Sequence, residues 1–424
     1  MARGINRSCA AVVVAAIVVA GCSSGGKSAG GSSSTVSPTG SAGTTGMACG
    51  GKTYTIGLIT DLTGLAASGN MTSQTGVKAG IVAAKRLGCD FKLAPVADTQ
   101  TSPTGGMTIA QKLVSQDHVF AVVGNSALFF AAAPFLTKMN VPVVGAAEDG
   151  PEWLHSDNMF SVYGNIDTTK VFTTFGKFFK LEGATTIGSL GYAISPSSAE
   201  AAQSVAESAK AAGLKVGYVN SKFAFGSTDV QPIALAMHDA HVDGLNPATD
   251  PNTAYALVQA LRDLGEKPVM LLSTGYGGDV AQAGPKALNA AQNVYFANSF
   301  EPIEMQTPAT KQLVADLAAV GETGVPTASM YNGYASVLLL VDAFKTAGPN
   351  PTQASLITAL QGIHAFDAGG LFGDKTVDVS DKSGDHFSAG NCQWITKLNG
   401  DKFELVDGAD PICGDVVPGV TVKG

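Results

Sequence analysis

Charge is scarce in this sequence. Asp, Glu, Lys and Arg together make up 14% of 424 residues, and 26 basic residues against 34 acidic ones leave a formal net charge of −8. No basic stripe follows from such a composition, so no nucleic-acid partner is expected. Nucleophile motifs are missing too. The nearest approach to G-x-S-x-G is Gly124-Asn125-Ser126-Ala127-Leu128, which ends in Leu. No G-x-G-x-x-G follows the first predicted strand. His238 and His241 sit three apart at a predicted helix end but lack a third ligand at zinc-site spacing, and His118, His155, His364 and His386 are scattered. Neither an enzyme nor a cofactor nor a metal site is therefore expected. Internal repeats are lacking as well. Apolar residues, at 45%, are plentiful enough to fill sizeable cores.

What is there begins with a deceptive motif. Gly21-Cys22-Ser23-Ser24-Gly25-Gly26-Lys27-Ser28 fits the phosphate-loop pattern G-x-x-x-x-G-K-[ST] letter for letter. That loop works only between a buried strand and a helix that begins at its Ser. Before it, Arg3 and Arg7 precede an uncharged run from Ser8 to Ala20, a basic region and an apolar region too short to span a bilayer. After it, Ser23 to Met47 is mostly Gly, Ser, Thr and Ala, which cannot bury enough surface to offset the entropy of ordering. Val19-Ala20-Gly21-Cys22 instead resembles the lipobox of bacterial lipoprotein signal peptides. The resemblance implies a signal over 1–21, a lipid on Cys22, a tether over 22–50, and a place on the extracytoplasmic face of the cell membrane.

Export permits disulfides. Setting aside Cys9 and Cys22 leaves Cys49, Cys89, Cys392 and Cys413, which allow three pairings. Cys49–Cys89 with Cys392–Cys413 is favoured because each bridge staples neighbouring strands near one terminus. Four buried thiols are the alternative.

From Tyr54 onward, short apolar runs alternate with amphipathic stretches. Strands are expected at Tyr54–Ile59, Phe91–Val96, Phe120–Val123 and Val141–Val144, and helices at Gln74–Leu87, Gly106–Gln116 and Ala127–Met139. A second series starts after Asn165, with helices at Lys170–Leu181, Ser198–Ala212, Pro232–Asp239 and Asn252–Leu264. Its strands are expected at Thr186–Leu190, Lys215–Val219, Val242–Leu245, Val269–Leu272 and Val294–Ala297. Tyr331–Ala347 reads as an apolar helix, followed by β segments at Gln393–Lys397 and Lys402–Val406. Such alternation predicts an α/β fold of two doubly wound, Rossmann-like lobes. Ligands in such sheets sit at the loops beyond the strands' carboxyl ends. Here those loops carry Asp61–Asn70, Asn125 and Ser126, Ala147 and Glu148, Tyr192, Asn246, and Ser273 to Gly278.

The opening Ile56-Gly57-Leu58-Ile59-Thr60-Asp61-Leu62-Thr63-Gly64 is similar to that of the branched-chain-amino-acid (Leu/Ile/Val) periplasmic binding proteins. Further matches follow in order: Lys112–Ala127 (KLVSQDHVFAVVGNSA), Asn140–Ala147 (NVPVVGAA), Leu261–Pro268 (LRDLGEKP), Asn293–Pro302 (NVYFANSFEP) and Tyr331–Gly348. The resemblance implies type I periplasmic binding protein lobes joined by a three-segment hinge. Lobe 1 would comprise 51–164 and 298–364, and lobe 2 would comprise 165–297 and 365–424. It also implies a small-molecule solute, ABC permease subunits as membrane partners, and a monomer. Ser126, Asn125, Ala147 and Glu148 would contact the solute from lobe 1, and Tyr192, Asn246, Thr274 and Tyr276 from lobe 2. Two positions depart from the family. Glu148 stands where a ligand carboxylate would be repelled, and Ser273-Thr274-Gly275-Tyr276 lacks the acid that meets an ammonium. A small polar solute other than a plain α-amino acid is expected, with Glu148 or Asp149 meeting a cation or sugar-like hydroxyls. Trp153 is expected at the cleft rim and Trp394 in a core. A sensory ligand-binding protein that reports occupancy to a membrane partner is the alternative function.

Overall fold

The computed structural model describes residues 49–423 apart from Asp149 and residues 407–409; the predicted signal, Cys22 and the tether as far as residue 48 lie outside the described residues. Six strands build the first sheet: β1 (Thr53–Thr60), β2 (Asp90–Leu93), β3 (Ala97–Asp98), β4 (Ala121–Asn125), β5 (Val143–Gly145) and β6 (Met159–Ser161). All pair in parallel, in the order β2-β1-β4-β5-β6 with β3 also on β1. Every residue of β4 is buried because helices cover both faces. Ala121 and Val123 face one core with Val77 and Val337, whereas Val122 faces another with Ile109, Leu136 and Trp153. On the first face the helices Ser73–Arg86 and Ala328–Ala347 cross in close contact. A Cβ on Gly76 would stand 2.1 Å from the Met330 carbonyl oxygen, so glycine is what permits that approach.

The chain then builds a second lobe. Here lie β7 (Lys170–Phe172), β8 (Thr186–Tyr192), β9 (Lys215–Phe223), β10 (Gly244–Ala248), β11 (Val269–Leu272), β12 (Tyr295–Asn298), β13 (Cys392–Asn399), β14 (Lys402–Leu405), β15 (Ile412–Cys413) and β16 (Val416–Thr421). The second sheet runs β14-β13-β12-β11-β10-β8-β9 with β15 on β13. Strands β8 to β12 are parallel, while β13 pairs antiparallel with β12, β14 and β15. Separately, β16 and β7 form an antiparallel ribbon.

Three passages join the lobes: after β6, after β12, and between the helix Gln353–Gln361 and β13. The third stays with the first lobe for much of its length. Phe372 stacks on Phe300, which stacks on Tyr331, and Gly369 faces Leu338. At its middle, Lys382 Nζ donates to the carbonyls of Trp153 (2.7 Å) and Met159 (2.8 Å). One residue on, the Ser383 carbonyl accepts from Lys170 Nζ of β7 at 2.7 Å.

Several sequence expectations need correction. The helix expected over Ala127–Met139 is a 3-10 turn, Phe129–Ala131, followed by a short helix, Ala133–Lys138, with Pro134 in its first turn. Lys170–Phe172, expected as helix, is β7, because its partner β16 arrives from the far end of the chain. Trp153 is no cleft-rim residue: its ring is fully buried and stacks on Phe129, 5.3 Å between centroids. Trp394 is core, 3% exposed. Both favoured disulfides, Cys49–Cys89 and Cys392–Cys413, are present. His238 Nδ1 lies 2.6 Å from Glu266 Oε1, and no group of three metal-capable side chains occurs among the described residues.

Candidate functional site

The carboxyl ends of β1, β4 and β5 face those of β8, β10 and β11 across a cavity of about 380 Å³. A second chamber of about 190 Å³ adjoins it, sharing Tyr163, Phe175 and Phe387 and adding Phe300 and Tyr331 as aromatic walls. The lobes touch around the main cavity. Ser197 Oγ donates to the Glu148 carbonyl at 3.3 Å, and the Gly278 N–H donates to the Val325 carbonyl at 3.0 Å.

On the first-lobe side the organising group is Asp61, immediately after β1. Its carboxylate is fully buried and accepts from Ser126 Oγ (2.8 Å), the Ala127 N–H (2.8 Å), Asn70 Nδ2 (3.0 Å) and Thr99 Oγ1. Four donors compensate the desolvation that such a group suffers. Glu148, after β5, lines the cavity and keeps an exposed surface there although protein encloses it. Its Oε1 accepts from Asn332 Nδ2 at 2.7 Å, and Asn332 Oδ1 accepts from the Tyr163 hydroxyl. Desolvation, with the Asp61 charge adding to it, raises the Glu148 carboxyl to about 7 against the pull of the Asn332 bond.

On the second-lobe side, Tyr192 ends β8. Its hydroxyl donates to Asp250 Oδ2 and accepts from the Asp250 N–H at 3.3 Å. Asp250 also caps the helix Pro251–Asp263 by accepting from the Thr253 N–H at 3.1 Å. Burial first, then the Asp250 carboxylate, holds the Tyr192 proton well above its ordinary range. Among the described residues, two cavity-lining groups are left without partners: Thr249 Oγ1 and Asp279 Oδ1 are buried and unbonded. Desolvation pushes the Asp279 carboxyl far up.

Of the residues singled out from sequence, Ala147, Glu148, Tyr192, Asn246 and Thr274 line the cavity. Asn125, Ser126 and Tyr276 do not. The Asn125 amide donates to Ser73 Oγ (2.7 Å) and accepts from the Ala146 N–H (3.2 Å), and the Ser126 hydroxyl turns inward to Asp61. Tyr276 is 2% exposed, packs on Phe403, and donates to Glu304 at 2.6 Å. Tyr192 also departs from a free-standing wall aromatic, being 3% exposed. Asp149 lies outside the described residues. Sequence reasoning named Asp61 only as the start of a candidate loop, and it passed over Asn332, Thr249 and Asp279. A polar Asn near the start of the largely apolar helix Ala328–Ala347 was the available signal for Asn332.

The sequence profile of a family described as periplasmic binding protein matches residues 53–402. The chain belongs to the periplasmic binding protein family. No curated protein sequence matches it. Among solved structures, a leucine-binding protein from Thermotoga maritima has a TM-score of 0.70 at 19% identity, covering 85% of this chain and 99% of its own. A branched-chain amino acid transporter binding protein from Streptococcus pneumoniae in complex with isoleucine gives 0.68 at 20%, covering 86% and 99%. An ABC transporter solute-binding protein from Rhodopseudomonas palustris in complex with 4-hydroxybenzoate gives 0.67 at 18%, covering 88% and 97%. These likenesses share the two-lobed type I fold. This periplasmic binding protein is thus one of a family of binding proteins rather than enzymes, and the family implies an extracytoplasmic location. No helix of the described residues is long and apolar enough to cross a membrane.

Proposed function

We propose that this chain is the extracytoplasmic solute-binding lipoprotein of an ABC importer, a monomer that closes two lobes over a small polar solute for permease subunits in the membrane. The observation that carries this reading is a cavity of about 380 Å³ walled by both lobes at their strand-end loops, a size suited to a small molecule. Ala147, Glu148, Tyr192, Asn246 and Thr274 contact the solute. Ser126 and Asn125 act from behind by fixing the Asp61 loop, and Tyr276 by anchoring the Ser273–Tyr276 turn. The acidic lining disfavours carboxylate solutes such as those bound by the structural neighbours.

Native mass spectrometry of the freshly purified protein is expected to release a co-purifying small molecule. Calorimetry with that molecule is expected to show roughly tenfold weaker binding by Tyr192→Phe, which unties Asp250 while keeping the ring. Unchanged affinity would remove Tyr192 from the site. Membrane attachment is tested by palmitate labelling, which Cys22→Ala is expected to abolish.

A further inference from the structure

Among the described residues, four carboxyl side chains line the main cavity, and three are served by the chain itself. Glu148 is bonded by Asn332, Asp250 by Tyr192 and Thr253, and Asp167 by the N–H and hydroxyl of Thr169. Asp279 is different. It is 5% exposed, and Oδ1 has no hydrogen-bond partner. Thr249, also 5% exposed and in the same wall, leaves Oγ1 equally unbonded. Buried acceptors without donors cost roughly 1–3 kcal/mol each and persist where something outside the chain satisfies them. Among the described residues the only ammonium in the lining is Lys170, and its charge is engaged by Asp385 and the Ser383 carbonyl. No cationic side chain of the lining is therefore free, among the described residues, to pair with either Asp279 or an incoming carboxylate.

The surroundings of Asp279 belong to the contact between lobes. It follows Gly278, whose N–H reaches the Val325 carbonyl, and Gly277, where a Cβ would stand 2.2 Å from the Pro326 carbonyl oxygen. A group bound at Asp279 thus sits beside a contact that forms only when the lobes meet.

We propose that Asp279 and Thr249 together receive a cationic N–H group, so that the solute is an amine or amidine without a carboxylate, its apolar body directed to the chamber walled by Tyr163, Phe175 and Phe387. This inference rests on the solute-binding reading above. Burial favours a protonated Asp279 in the empty cavity, and a bound cation restores the carboxylate with release of that proton to solvent.

The test uses thermal shift and calorimetry on the full chain with three matched probes: tyramine, tyrosine (which adds a carboxylate) and 4-hydroxyphenylpropionate (which keeps the carboxylate and drops the amine). Agmatine, putrescine and benzamidine widen the amine set. At least one amine is expected to raise the thermal midpoint, with both carboxylate probes weaker. Asp279→Asn is expected to weaken that amine about 10- to 100-fold and Thr249→Val several-fold, each with an unchanged midpoint in the absence of amine. Binding of the carboxylate probes alone, an amine affinity indifferent to Asp279→Asn, or no response to any amine would each overturn the proposal. The broader reading fails by a separate route, if native mass spectrometry finds no small molecule and no solute of any class binds.

Discussion

Asp61 follows β1 and Asp279 lies in the first turn of the helix Gly278–Gln282; each is buried beside the cavity, one in each lobe, and the chain treats them oppositely. Asp61 collects four donors; Asp279 Oδ1 collects none. Glu148 stands between them, with one donor from Asn332 and a face on the cavity. The gradient separates two uses of a carboxyl in one site. A fully served acid is a scaffold, holding the Asp61–Asn70 and Gly124–Ala127 loops in register. An unserved acid is an opening for a partner that is not part of the chain. The lesson is that closeness to a cavity does not by itself mark a ligand contact; the count of internal hydrogen bonds discriminates.

Three substitutions test that ordering, beginning with the largest effect. Asp61→Ala strands four donors at once and is expected to cost about 3 kcal/mol or more in urea unfolding; a loss within about 0.5 kcal/mol would show the hub to be dispensable. Asp279→Asn is expected to leave unfolding within about 0.5 kcal/mol of the parent, because no internal bond is lost. A loss as large as that of Asp61→Ala would erase the contrast. Glu148 is read through pH. Its folded-state value of about 7 lies above the 4.5 of a free carboxyl, so the native state holds the proton more tightly. Its contribution is therefore fully present below pH 4.5 and is lost as pH rises to about 7, by about 1 kcal/mol once the exposed cavity face is discounted. Glu148→Gln is expected to flatten that part of the Tm-against-pH curve, and an unaltered slope would place the titration elsewhere.

Much of the fold was legible because strand and helix periods alternate cleanly from Tyr54 to Ala297. Interleaving of the lobes rested on matching family stretches, since nothing local in Ala328–Ala347 says that it packs on Ser73–Arg86. Elements set by distant partners escaped: β7 reads as helix until β16 pairs with it, and Pro134 splits what looked like one helix. In the site, loop position was visible but side-chain direction was not. Ser126 and Asn125 have the residue types of ligand contacts, yet Asp61, Ser73 and Ala146 claim their hydrogen bonds. Trp153 sits beside a cavity loop in sequence and under the sheet in space. The isolation of Asp279 is a property of everything around it, which no local pattern encodes.

Lys382 and Lys170 grip adjacent residues from opposite sides: the first ties its own residue to the carbonyls of Trp153 and Met159, and the second takes the carbonyl of Ser383 for β7. Opening the cleft while both grips hold puts the turn of the third passage on the backbone torsions that flank the planar peptide between 382 and 383. Those few torsions are the joint of this strap, a fulcrum one residue pair wide.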